Sequence, residues 1–150
     1  MLTLCYTKGM KRSGYMPTAQ TVEWSTPQDL YDKLNEEFRF TVDVAASDDN
    51  HKTAFYYTED ENGLVQDWSE ESVWCNPPYG RGIKDWVEKA AAEQSSGTVV
   101  MLIPARTDTA WFHDYIYGRA EIRFIRGRLK FGGHKNAAPF PNMIVIWRNL

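Results

Sequence analysis

The chain has 150 residues, of which 43% are hydrophobic and 25% charged; this fits one globular domain and excludes a disordered or low-complexity protein. Its net charge of −3 does not by itself point to nucleic acid, and no run of about 18 apolar residues is present to span a membrane. Cys5 and Cys75 lie far apart and His51, His113 and His134 are scattered, so no metal is expected, and free thiols suit a reducing cytoplasm.

Residues 1–20 show no periodicity and lack the apolar core of a signal peptide. They read as a loose arm ahead of a single domain over 21–150. In Trp24-Ser25-Thr26-Pro27, Thr26 has the character of an N-cap and Pro27 that of a first helical residue. Leu30, Leu34 and Phe38 follow at helical spacing, which predicts a helix over about 27–38. Phe40 to Ala46 alternates as a buried strand would. Residues 47–64 are polar and turn-rich and end in Asn62-Gly63. Ser72 to Cys75 reads as a short strand. Ile83, Trp86, Val87, Ala90 and Ala91 form the apolar stripe of a helix over about 82–95. The unbroken run Val99 to Ile103 is typical of a central parallel strand. A further helix is expected from Trp111 to Gly118, and three strands at 122–125, 129–131 and 143–147. Alternating strands and helices predict an α/β fold with a mostly parallel central sheet, helices on both faces and a β finish. In such sheets ligands sit at the carboxyl ends of strands. Asp43 to Ala46, Asn76 to Tyr79 and Pro104 to Arg106 all fall at such ends.

Charge is unevenly spread. Residues 119–150 carry seven basic side chains (Arg119, Arg123, Arg126, Arg128, Lys130, Lys135 and Arg148) against Glu121 alone, which leaves the first 118 residues at −9. A basic third on an acidic body is the expected footprint on a phosphate backbone, with Arg126, Arg128, Lys130, His134 and Lys135 as candidate contacts. The same alternation also suits the wet face of a strand.

The stretch richest in chemistry is Asn76-Pro77-Pro78-Tyr79. Two prolines fix φ and donate no hydrogen bonds, so the turn is rigid and its carbonyls are bare. Such pairs also mark ordinary turns. At a strand end, the tetrad offers what an exocyclic amine needs before it can accept a methyl group. The Asn76 amide oxygen and the Pro77 carbonyl are acceptors for its two protons, and Tyr79 is a flat surface for the ring. An adenine N6 lone pair held in this way points outward, towards an in-line methyl sulfonium. Rate acceleration then comes from positioning and fixed dipoles.

A carboxylate on an apolar strand, as at Asp43, is costly unless it is hydrogen-bonded or meets a cation. An S-adenosylmethionine site offers both. Asp67-Trp68 suits the cofactor adenine, with Asp67 as acceptor and Trp68 as wall. The helix start at Thr26-Pro27 suits a carboxylate. Asp48, Asp49 and Asn50 are candidates for ribose hydroxyls. Each also has a plain structural use: Thr26 as a cap, Asp67 as a turn former, Asp48 and Asp49 as solvated loop charges.

The ordered set Trp24-Ser25-Thr26-Pro27, Asp43-Val44-Ala45-Ala46, Asp67-Trp68, Asn76-Pro77-Pro78-Tyr79-Gly80, Pro104-Ala105-Arg106-Thr107-Asp108 with Trp111-Phe112, and Arg126-Gly127-Arg128-Leu129-Lys130-Phe131 resembles the phage-type, Dam-like DNA N6-adenine methyltransferases. The likeness runs from about Trp24 to Trp147. It implies a Rossmann-like methyltransferase fold, S-adenosylmethionine as donor, adenine in double-stranded DNA as acceptor, and a host-cell cytoplasm. It places Asn76, Pro77, Pro78 and Tyr79 at the target base and Asp43 near the cofactor; Trp24, Thr26, Pro27, Ala45, Asp67 and Trp68 complete the expected cofactor site. One departure is visible: the wider amino-methyltransferase pattern has a Gly-rich turn after its first strand, where this chain has Ala45-Ala46-Ser47. Any sequence reading falls to the loop 132–141 and the basic segment before it. From residues alone, methylation of an RNA base or a glutamine amide, and a non-catalytic DNA-binding role, remain open alternatives.

Overall fold

The run Thr98–Pro104 forms the central strand of a five-stranded sheet, buried on both faces along nearly its whole length. The computed structural model describes residues 24–94, 96–132 and 136–148; the expected arm at 1–20 lies outside them. In chain order the elements are α1 (Gln28–Phe38), β1 (Val42–Asp43), a 3-10 turn (Gly63–Val65), β2 (Ser72–Cys75), α2 (Ile83–Glu93), β3 (Thr98–Pro104), α3 (Ala110–Tyr115), β4 (Glu121–Phe124) and β5 (Asn142–Arg148).

Sheet order is β1-β2-β3-β5-β4. β1, β2 and β3 are parallel neighbours, with Val42 beside Val73 and Ser72 beside Thr98. β5 runs antiparallel to both β3 and β4. The sheet is therefore mixed, with two parallel and two antiparallel pairings, rather than mostly parallel. Among the described residues no crossover helix lies between β4 and β5, and neighbouring strands joined without one pair antiparallel.

Strand alternation sorts the core into two layers. Val73, Cys75, Val99, Met101, Ile103, Val145 and Trp147 face α2 and α3. Trp74, Val100, Leu102, Ile144 and Ile146 face α1 through Tyr31 and Leu34. Helices thus cover both faces. Each such aliphatic side chain removed from water contributes about 1.5–3 kcal/mol.

Three local expectations change. The strand expected over 40–46 is reduced to Val42–Asp43. Beyond it Val44 N still bonds the Trp74 carbonyl at 3.1 Å, and the chain then turns away, with Ala45 N on the Asp43 carboxylate at 3.3 Å and Ala46 N on the Tyr57 carbonyl at 2.9 Å. The segment 129–131 is not a strand. β5, the strand that follows it, already has β3 on one side and β4 on the other, so 129–131 cannot pair with it; Phe131 is instead buried on the α1 face. Thr26 does not cap α1, whose N-cap residue is Pro27 without any side-chain bond. Its hydroxyl is engaged elsewhere.

Candidate active site

β2 ends at Cys75 and delivers Asn76 to the sheet's carboxyl edge. Asn76 Nδ2 donates to the Trp24 carbonyl and to Thr26 Oγ1, the latter at 3.0 Å. Both amide hydrogens are therefore used. Asn76 Oδ1 faces the other way and accepts from the Tyr79 hydroxyl at 2.9 Å. An amide oxygen has two lone pairs, so one acceptor direction remains. No described residue donates to the Pro77 carbonyl.

The Tyr79 hydroxyl also lies 3.2 Å from the Leu102 carbonyl, which ties the ring to the central strand. Burial pushes its phenol far above the ordinary range, so it stays protonated. Its ring sits edge-to-face with Phe140 at 5.6 Å and Phe131 at 6.2 Å. Trp24 meets the same two rings at 5.4 and 5.2 Å. Four aromatic rings thus gather beside Asn76 on the α1 side of the sheet. Arg106, from the end of β3, lies 5.9 Å over Phe140.

On the other side of Asn76 opens a cavity of about 710 Å³. Trp24, Thr26, Asp43 and Ala45 line it, together with Asn76, Pro77 and Pro78. Two of the three expected strand ends thus share one pocket; the Pro104 to Arg106 end does not reach its wall. Pro27, Asp67 and Trp68 are also absent from the lining. Asp67 bonds Ser69 N at 2.9 Å and Ser69 Oγ at 2.6 Å, the geometry of a turn. Trp68 is buried and its Nε1 donates to the Gly63 carbonyl at 2.9 Å, one layer behind the wall.

The charge of the cavity is acidic: among the described residues, Asp43, Asp48, Glu59 and Asp60 face Lys52 alone. Asp43 is 3% exposed. Burial raises its carboxyl from the usual 3.8 to about 6, against the lowering effect of backbone N–H groups of Lys52 and Ala45. Lys52 N bonds its Oδ2 at 3.0 Å. Asn50 and Ser47 exchange bonds that shape the turn after β1, with Ser47 N to Asn50 Oδ1 at 2.8 Å. The far wall, from Thr58 to Gly63, is not marked by the sequence reading as part of a site. Its signal is Asn62-Gly63: a Cβ on Gly63 would stand 2.0 Å from the Val44 carbonyl oxygen, so only glycine closes this wall against the β1 turn. The glycine of this cavity thus stands opposite the turn rather than in it.

The basic third divides into two parts. Arg123 makes two 2.8 Å bonds to Glu37 and one of 2.7 Å to Glu121, and Arg148 also binds Glu121. Arg119 donates to the Asp114 carbonyl at 2.9 Å. These are structural. Arg126, Arg128 and Lys130 are exposed, and among the described residues they have no ion-pair partner. They lie on the loop that leads into Phe131 of the aromatic group. His134 and Lys135 lie outside the described residues. No group of metal-ligating side chains occurs among the described residues, and no described helix is long and apolar enough to cross a membrane.

A family model for DNA N-6-adenine-methyltransferase (Dam) matches residues 14–150. The chain is 35% identical over 117 residues to the DNA N-6-adenine-methyltransferase of Escherichia phage T1, an alignment covering 75% of this chain and 48% of that protein. It is 28% identical over 134 residues to the DNA N-6-adenine-methyltransferase of Haemophilus phage HP1 (strain HP1c1), covering 83% of this chain and 77% of the relative. The chain spans about half the length of the phage T1 protein.

Proposed function

Since the chain belongs to the DNA N-6-adenine-methyltransferase (Dam) family, we propose that it transfers a methyl group from S-adenosylmethionine to the N6 amine of adenine in double-stranded DNA, on a Rossmann-like methyltransferase fold. The observation that carries this reading is the Asn76 amide. It stands between an acidic cavity and a group of aromatic rings, with its nitrogen tied back and its oxygen turned towards the rings.

The cavity fits the donor on its own terms. About 710 Å³ falls in the range of small-ligand pockets, and four carboxylates against one lysine favour a cation. Asp43, Ala45 and Trp24 hold the donor, and Asp48 and Asn50 meet its ribose, while the Thr26 hydroxyl is taken by Asn76. Trp68 acts from behind, by fixing Gly63. S-adenosylmethionine supplies a methyl group on positive sulfur, which leaves as a neutral thioether.

The protein's part is to aim the amine. The remaining lone pair of Asn76 Oδ1 and the Pro77 carbonyl accept its two N–H bonds and turn the nitrogen lone pair towards the cavity. Tyr79, its hydroxyl anchored on Asn76 and Leu102, offers a ring face to a base taken out of the duplex. Stacking returns about 1–3 kcal/mol of the unstacking cost. Two fixed acceptors also stabilise the positive charge that develops on nitrogen. The methylated ammonium is acidic, so its proton leaves to water without a dedicated base. Arg126, Arg128 and Lys130 meet phosphates.

The test is to incubate the protein with methyl-labelled S-adenosylmethionine and unmethylated duplex DNA, RNA or protein, then identify the labelled product. Label in N6-methyladenine from duplex DNA is expected. Label only in RNA or protein, or in none, would refute the assignment.

A further inference from the structure

Resting on the reading above, we propose that Thr26 is a positioning residue for Asn76: its buried hydroxyl, together with the Trp24 carbonyl, sets which end of the amide is presented to the acceptor amine. The Asn76 side chain can rotate by half a turn and exchange its oxygen and nitrogen with little change in shape. One rotamer offers an acceptor to an exocyclic amine; the other sets N–H against N–H. The surroundings decide between them chemically. The Trp24 carbonyl can only accept, so the amide atom facing it is nitrogen. Thr26 Oγ1, 3.0 Å away, takes the second hydrogen. The oxygen is then left for Tyr79 and the base side.

Thr26 is 4% exposed, so water does not compete for this bond. Nor is the hydroxyl needed by the helix it precedes, since α1 begins without a side-chain cap. The strap Trp24–Thr26 is itself pinned by an antiparallel bridge between Ser25 and Gly132, with Gly132 N bonded to Ser25 O at 2.9 Å. The tether therefore has a fixed base.

Thr26→Val keeps the shape and removes the acceptor, while Thr26→Ser keeps the acceptor. At saturating donor, Thr26→Val is expected to lower kcat on duplex DNA about five- to tenfold, the usual weight of one hydrogen bond. The donor Kd should stay within about twofold and Thr26→Ser should restore kcat. The Trp24 tether remains, so the loss stays smaller than in Asn76→Ala. The same variants are compared by ¹⁵N–¹H spectroscopy, the Asn76 side-chain NH₂ pair being identified by its absence from Asn76→Ala. One of its two hydrogens should lose protection from solvent exchange in Thr26→Val and regain it in Thr26→Ser. An unchanged NH₂ pair in Thr26→Val would overturn the proposal. So would a donor Kd raised tenfold with kcat unchanged, which would make Thr26 a donor contact only. A wild-type protein that transfers no methyl group would overturn the functional reading instead, while the amide exchange would still decide the tether.

Discussion

Replacing Asp43 with Asn measures how far the cavity carboxylate is held against its own solvation. Asp43 is 3% exposed, so no discount for solvent screening applies. Burial lifts its carboxyl from 3.8 to about 6, the bonds from Lys52 and Ala45 N–H offsetting only part of the effect. At about 1.36 kcal/mol per unit, the rise of roughly two units corresponds to about 3 kcal/mol. The folded protein binds this proton more tightly than the unfolded chain does. The resulting contribution to stability is fully present below about pH 3.8 and is lost as pH rises through about 6. Urea unfolding of both proteins between about pH 4 and pH 7 reads it out. The stability difference, wild type minus Asp43→Asn, should fall by up to about 3 kcal/mol across that window. A cationic donor favours the ionised form, so donor affinity should rise over the same interval in the wild type and stay flat in the variant. Parallel stability curves would refute the reasoning.

Gly63→Ala drives a Cβ to 2.0 Å from the Val44 carbonyl oxygen, and the backbone must shift. A loss of about 1–3 kcal/mol is expected in thermal melts, with weaker donor binding by calorimetry. Tyr79→Phe leaves Asn76 Oδ1 and the Leu102 carbonyl without their shared donor and should lower stability by about 1 kcal/mol in urea titrations. Alanine at Arg126, Arg128 and Lys130 together should flatten the salt dependence of duplex binding by about 0.9 in slope for each phosphate no longer neutralised. An unchanged slope would place DNA on another face.

What the sequence made legible follows from period and punctuation. β2, β3, β5, α1 and α2 carried strong apolar patterns and lie within two residues of their expected bounds. The direction of β5 was not legible, because no local pattern says which neighbours a strand finds. The segment 129–131 looked like a strand because Leu129 and Phe131 alternate with charges; Phe131 is buried, but in an aromatic group rather than a sheet. In the candidate site, Asn76 and Asp43, which line one cavity, were marked out by residue type at a strand end. The remaining wall, Thr58 to Gly63, did not, because its contribution is backbone shape and acidic charge from a loop without periodicity. Thr26 had the local chemistry of a helix cap. Its hydroxyl instead serves a residue 50 positions away, a link that only the folded chain makes.

The most direct test is single-turnover methyl transfer to unmethylated duplex DNA by wild type and Asn76→Ala, with donor and DNA binding measured separately. The fixed amide oxygen acts on the developing ammonium, so the variant should lose about 10²–10³-fold in rate while binding both ligands within a few-fold of wild type. A variant that transfers methyl groups at a rate close to wild type would show that Asn76 does not orient the amine.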